Sequence, residues 1–246
     1  MTTARLPLFP LNSVLFPGLV LPLNVFEERY RALMRSLLAL EEGAERRFVV
    51  VAIRDGREVA ATAPGLPDPT SLPERGPAAG FGDDPIRAFH PVGCIADAAA
   101  IRPREDGGYE VVGTGTTRVR LLSVDADGPF LTAEVEELPE ETGDDAGALS
   151  EGVLRAFRSY QKRLAGLRER TLTTGDTPPG GPLVVSYLVA SALILDTPAK
   201  QRLLEAPDTA ARLTEELRLL RAETAVLRHL PSLPAVNLTT GPTHPN

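Results

Sequence analysis

The chain has 246 residues, of which 43% are hydrophobic, and its 26 lysines and arginines against 33 acidic residues leave a formal charge of −7. That length fits one large domain or two lobes with ample material for a core. The acidic balance gives no electrostatic reason to seek nucleic acid or an anionic membrane, and the single cysteine, Cys94, excludes an internal disulfide and suits a reducing cytosol.

The chain opens with an apolar stretch, Leu6 to Tyr30, that Pro7, Pro10, Pro17 and Pro22 interrupt at short intervals. Proline fixes φ, supplies no ladder donor and biases its predecessor to extended backbone, so this stretch cannot be one helix. It reads as two short strands with Pro17-Gly18 as the turn. The same prolines and Gly18 break the run too often for a secretion signal. Phe26, Tyr30, Leu33, Met34, Leu37 and Leu38 then recur at helical spacing, which predicts a helix over 25–40 with one buried stripe and a stop near Gly43. Phe48 to Ile53 is apolar without alternation and β-branched, as expected of a strand buried on both faces.

Residues 60–88 crowd prolines and glycines together and read as a long mobile loop, too poor in apolar area to offset ordering entropy. Phe81, Ile86 and Phe89 stand out there. The plain reading docks Ile86 and Phe89 on the core; the functional one makes the loop carry an apolar anchor for a partner, with Phe81 and Phe89 as its exposed residues. From His90 to Leu138 a β meander is expected. Asp106-Gly107-Gly108 marks a hairpin, and Val119 and Leu121 alternate with Arg118 and Arg120, placing one set in a core and the other in water. Glu136 to Ala148 is an acidic hinge. Beyond it Leu149, Val153, Phe157, Tyr160, Leu164 and Leu167 form a helical stripe, and a flexible connection follows at 171–182. Leu183 to Leu195 is apolar nearly all round, which places it at the centre of a helical lobe; the run from Pro182 is also shorter than the roughly 18–20 residues a bilayer span needs. Thr197-Pro198 starts a short helix. Pro207-Asp208 starts the last one, with Arg212 and Glu216 paired on its outer face.

Four motifs, in the same order, resemble the amino-terminal domain of Lon proteases. They are the Leu-Pro-Leu opening from Leu6 to Leu23, Val92-Gly93-Cys94-Ile95-Ala96, Gly115-Thr-Thr-Arg118-Val-Arg120-Leu121, and the run from Ala199 to Leu213 with Lys200-Gln201, Leu203-Leu204 and Asp208. The resemblance covers Leu6 to about Glu223. It implies an α+β fold, with an amino-terminal β-rich pseudo-barrel lobe related to RNA-binding PUA domains (residues 1–138) followed by a carboxy-terminal helical bundle lobe (149–230) and a disordered tail (231–246). The function it implies is a stand-alone, cytoplasmic, non-enzymatic module that binds peptides or unfolded protein segments in the cleft between its lobes, as an adaptor or regulator beside a separate ATP-dependent protease.

Reactive chemistry has little support in the residues. Lys162 and Lys200 are the only lysines and neither follows a glycine loop, so no nucleotide-hydrolysing phosphate loop is present. Gly113-Thr-Gly-Thr feeds an alternating strand rather than a helix, and reads as a bend in a barrel strand. His90 and Cys94 lie four apart, roughly 13 Å along an extended strand, so Cys94 reads as a buried cysteine before a hydrolase nucleophile. The three histidines lack metal-ligand spacing. No cofactor is implied. A small-ligand or RNA-binding role for the PUA-like lobe is the main rival reading.

Overall fold

The computed structural model describes residues 2–54, 76–81, 84–168 and 181–229. Six strands, β1 (Thr3–Leu11), β2 (Val20–Val25), β3 (Arg47–Ala52), β4 (Val92–Pro103), β5 (Tyr109–Asp125) and β6 (Thr132–Glu137), form one mixed sheet in the order β2-β5-β4-β3-β1-β6. Only the β1–β3 pairing is parallel. An additional pairing of β5 with β6 closes five of the strands into a ring, with β2 as an extension on its outside. The length of β5 makes this possible. At about 3.3 Å per residue its 17 residues are long enough to hold β2 along Tyr109–Thr114 and β6 along Val119–Asp125 while β4 pairs with both parts.

A bulge divides β5 between those two roles. Cys94 pairs with Arg118 and Ala96 with Gly115, so Thr116 and Thr117 together face Ile95. One extra residue turns every later side chain to the opposite face. Accordingly Val111 packs outside the ring with Phe9, Phe48, Val50, Cys94 and Ala96, whereas Val119 and Leu121 point inside with Leu8, Val49, Val51, Ile95 and Val135. Strand β3 supplies both layers from alternate residues, as its unbroken apolar run requires. Helix α1 (Glu28–Leu38) covers the outer layer with Tyr30, Leu33, Met34 and Leu37. It begins after Phe26, which is 60% exposed rather than part of the buried stripe, because the extended residue Glu27 turns the chain before the helix starts.

Four further helices follow among the described residues: α2 (Ala146–Arg168), α3 (Pro182–Ala192), α4 (Thr197–Leu204) and α5 (Thr209–His229). Val153, Tyr160, Val185, Val189, Leu213 and Leu220 form the core shared by α2, α3 and α5. Asp196 accepts a hydrogen bond from the Ala199 amide at 2.8 Å and Asp208 one from the Ala211 amide at 2.8 Å, so both short-range helix starts carry a side-chain cap. A further apolar cluster joins Phe16 of the β1–β2 connection and Val92 of β4 to Tyr187, Ala190, Leu203, Leu204 and Leu219 of the helices.

The segment expected as a mobile loop at 60–88 is partly described. Residues 76–81 form turns and Pro85–Ala88 one turn of 3-10 helix. Arg29 fixes the former by donating to Pro77 O at 3.3 Å and Ala79 O at 2.7 Å while its guanidinium lies over the Tyr30 and Phe81 rings. The remainder of that loop, the connection at 171–180 and the tail from 231 lie outside the described residues.

Gly93 has no room for a side chain, since a Cβ there would lie 2.4 Å from Val50 O and 2.7 Å from Val51 Cγ1. Gly93→Ala must therefore push β4 away from β3. It is expected to lower stability by about 1–3 kcal/mol, or several degrees of melting temperature for a domain of this size. Thermal unfolding followed by circular dichroism checks this.

Candidate functional site

The site starts with the turn between β1 and β2. Gly18 sits at φ +80°, the left-handed region open to glycine, and its amide donates to Gly115 O at 2.8 Å while the Gly115 amide donates to Leu19 O at 2.9 Å. Gly115 allows this approach because a Cβ would meet Phe16 O at 2.5 Å. The turn is thus held against the β5 bulge, and Thr116 of that bulge comes to the surface beside it.

Arg118 follows at once. The pleat alone puts it in water with Arg120, yet it is 2% exposed because the helices cover this part of the barrel wall; Arg120 keeps a 55% exposed side chain. Arg118 donates from Nε to Glu140 Oε1 at 2.7 Å, from one terminal nitrogen to Leu204 O at 2.9 Å and Ala206 O at 2.7 Å, and from the other to Pro139 O at 3.1 Å. Arg212 arrives from α5. It donates to Leu203 O at 2.9 Å and Ser186 Oγ at 3.1 Å, lies 4.1 Å above the Tyr187 ring and approaches Glu140 Oε2 to 3.9 Å. Both guanidiniums therefore serve the carbonyl end of α4, whose last carbonyls lack helical partners and carry the negative end of the dipole.

Arg212 and Glu216 are fully buried rather than paired on an outer face. The helix turns that side towards α3 and α4, and Glu216 makes no hydrogen bond through either carboxylate oxygen. Burial holds its carboxyl well above the ordinary value of 4.5, against the opposing pull of Arg212. Tyr187 is likewise pushed above the usual phenol range, chiefly by burial, so its hydroxyl stays protonated and donates to Glu140 Oε1 at 2.5 Å.

Above this polar floor opens a cleft of about 240 Å³. Pro17, Gly18 and Leu19 form one wall, Leu183, Val184, Tyr187 and Leu188 of α3 the other, with Thr116 and Glu140 between them. Helix α3 contains no charged residue. It was expected at the centre of the helices for that reason, but it forms a wall. Its inner face is buried, while Val184 is 44% and Leu188 36% exposed at the cleft. The uncovered half of the helix leaves an apolar strip along the cleft. The larger concavity of about 310 Å³ across β1, β5 and β6 is polar, and its Arg5 is already held by Asp125 and Thr132.

The residues singled out in the sequence fall elsewhere. Phe81 and Phe89 are 6% and 1% exposed and meet edge to face at 4.8 Å inside the ring. They plug the barrel and are not exposed anchors, because two aromatic rings beside an open end of an apolar barrel gain more by entering it than by facing water. Cys94 is fully buried, its Sγ 3.3 Å from Ile95 O, and burial pushes its thiol up to about 12. His90 instead approaches Glu205 at 4.0 Å. No group of three or more potential ligands is placed to hold a metal among the described residues, and none of the described helices is long and apolar enough to cross a membrane. The residues that do build the site, Thr116, Arg118, Glu140, Val184, Tyr187, Leu188 and Arg212, were not proposed for it. Their one signal was α3, whose complete lack of charge is unusual for a helix at a surface.

A family model described as the ATP-dependent protease La (LON) substrate-binding domain matches residues 5–222. The chain belongs to this family. Curated relatives of the Lon domain found here include Lon protease 2 of Syntrophobacter fumaroxidans, 28% identical over 212 residues that cover 85% of this chain and 23% of the relative. Lon protease 2 of Sorangium cellulosum is 30% identical over 230 residues, covering 90% and 25%. The chain thus spans about a quarter of the length of these curated relatives. Among solved structures, the Lon N-terminal domain protein from Xanthomonas campestris superposes with a TM-score of 0.52 at 21% identity, covering 93% of this chain and 99% of that one. The N-terminal domain of Mycobacterium avium complex Lon protease gives 0.56 at 22%, covering 92% and 100%. At these identities the likeness is one of fold, and it shows that the α+β arrangement described above is that of Lon N-terminal domains.

Two outcomes test the floor of the Lon-domain cleft. Arg118→Met takes from Glu140 its charged partner, leaving it only the Tyr187 hydroxyl, and takes the guanidinium from three carbonyls; it is expected to cost about 3–5 kcal/mol in denaturant unfolding. Glu216 has the opposite sign from a stabilising carboxylate. Its folded form holds a proton that the unfolded chain releases above the ordinary value of 4.5, so its contribution is complete below that pH and declines as pH rises towards the elevated folded value. Glu216→Gln is therefore expected to match the parent protein near pH 4 and to exceed it in melting temperature at pH 8.

Proposed function

We propose that this Lon substrate-binding domain holds unfolded protein segments or peptides in the cleft between the β1–β2 turn and α3, and serves as an adaptor or regulator of an ATP-dependent protease. The observation that carries the proposal is the exposed apolar stripe Val184–Leu188 on a charge-free helix, set beside a cleft whose shape is already built by glycine contacts and the Arg118 network. Apolar burial tolerates many client sequences, which suits a module that meets unfolded chains. The family description agrees with a substrate-binding role, and the Lon proteases among its relatives make a protease the natural partner.

In this reading the domain performs no chemistry of its own and works in the cytoplasm. Cys94, the residue on which a hydrolase reading depends, is enclosed and held as the thiol. A thiol-reactive dye is expected to leave the native protein unlabelled at pH 8 and to label it stoichiometrically in denaturant; rapid native labelling would reopen the hydrolase reading. The reading also excludes nucleic acid and membrane surfaces as partners, on the strength of the formal charge of −7.

Val184→Asp and Leu188→Glu test the cleft directly. Burying a side chain of this size stabilises by about 1.5–3 kcal/mol, so each change is expected to weaken binding of a fluorescein-labelled, reduced and carboxymethylated lactalbumin by about tenfold or more. Both positions are exposed, so melting temperature should stay put. Unchanged affinity in both variants would move the client site elsewhere, and retention of a labelled RNA that weakens with salt would favour the rival ligand class.

A further inference from the structure

The chemistry of the cleft floor narrows which client residue it accepts. Glu140 uses Oε1 twice, for Arg118 Nε at 2.7 Å and for the Tyr187 hydroxyl at 2.5 Å. Its Oε2 has Arg212 at 3.9 Å, beyond hydrogen-bonding distance, although an ionised carboxylate offers about four acceptor positions. The Glu140 side chain remains 26% exposed and lines the cleft. The two hydroxyls of the cleft have both spent their protons, Thr116 on Ile95 O and Tyr187 on Glu140.

An apolar group entering this space strips water from Oε2 and leaves an ionised acceptor dry, which costs affinity unless the group brings a donor. A lysine or arginine would bring a third positive charge next to the guanidiniums of Arg118 and Arg212, which the same carboxylate already serves. The cleft therefore favours a neutral donor carried on a large apolar side chain. Indole combines a broad apolar body with a single N–H that only donates. The volume of about 240 Å³ is below the roughly 300–1,000 Å³ of sites for drug-sized ligands and suits one such side chain.

Building on the client-binding reading above, we infer that the cleft is a subsite for tryptophan, with the indole N–H donating to Glu140 Oε2 and the ring lying between Leu19 and the Val184–Leu188 face. The chain itself contains no tryptophan. No copy of it can supply the occupant, and the emission of a client tryptophan can be read without background.

The test uses blocked peptides of one glycine-serine host sequence with a single central tryptophan, benzothienylalanine, phenylalanine or lysine. Benzothienylalanine keeps the shape of the indole and replaces its N–H by sulfur. Calorimetry with the whole chain is expected to show tryptophan binding at least tenfold tighter than benzothienylalanine, a difference set by one hydrogen bond to a charged acceptor. Phenylalanine should be weaker still and lysine weakest, with a blue shift of tryptophan emission that Leu188→Glu abolishes. Equal affinities for tryptophan and benzothienylalanine, or no binding of either at millimolar concentration, would overturn the subsite. If Leu188→Glu nevertheless weakens lactalbumin binding, the client reading stands without it; if lactalbumin is unaffected as well, both fall.

Discussion

The union of barrel and helices depends on a buried guanidinium. Taking an arginine out of water costs several kcal/mol, and that cost is offset only when each of its three nitrogens finds an acceptor. Arg118 meets the condition by reaching Glu140 and three backbone carbonyls from four hydrogen bonds. Those carbonyls belong to the linker after β6 and to the end of α4, so one side chain rooted in β5 ties together three parts of the chain that are far apart in sequence. Apolar contact through Phe16, Val92, Tyr187 and Leu203 adds area to this junction, but area alone is non-directional. Through Glu140, which also accepts the Tyr187 hydroxyl of α3, these hydrogen bonds link the barrel wall to the helix that lines the cleft.

The rest of the site follows from that junction. Glu140 neutralises Arg118 and orients Tyr187, and Tyr187 in turn carries Arg212 on its face. Gln201 strengthens the same seam by donating to Val92 O at 2.8 Å from a side chain that is 2% exposed. The apolar wall of the cleft is consequently backed by a polar layer in which Arg118, Glu140, Tyr187 and Gln201 bond across the junction, while Arg212 Nη2 and the Glu216 carboxylate are enclosed without a hydrogen bond.

The bulge in β5 explains why the polar layer lies where it does. Without the extra residue opposite Ile95, the odd-numbered positions that face α1 in the first part of the strand would keep facing outward in the second. The insertion sends Val119 and Leu121 into the ring and delivers Arg118 to the helices. This irregularity thus lets one side of the second half of β5 line the ring while the other carries the residue that fastens the helices to it.

Much of this was written in local pattern. The proline-broken opening, the doubly buried run at Phe48, the hairpin at Asp106-Gly107-Gly108 and the stripe of α2 each depend on neighbours a few residues away, and periodicity reports such neighbours directly. The order of four short motifs added the α+β class. What pattern could not tell was which surfaces would meet. Arg118 and Arg120 share a face and a chemistry in the strand, and only the arrival of α4 and α5 from some 80 residues later buries one and leaves the other wet. Arg212 and Glu216 look like an ordinary surface pair for the same reason, and Phe81 and Phe89 look exposed until the barrel end closes over them. Local sequence determines how each segment folds and which of its faces is apolar; whether that face becomes core or binding site depends on contacts between distant segments, whose energies exist only once the tertiary structure has brought them together.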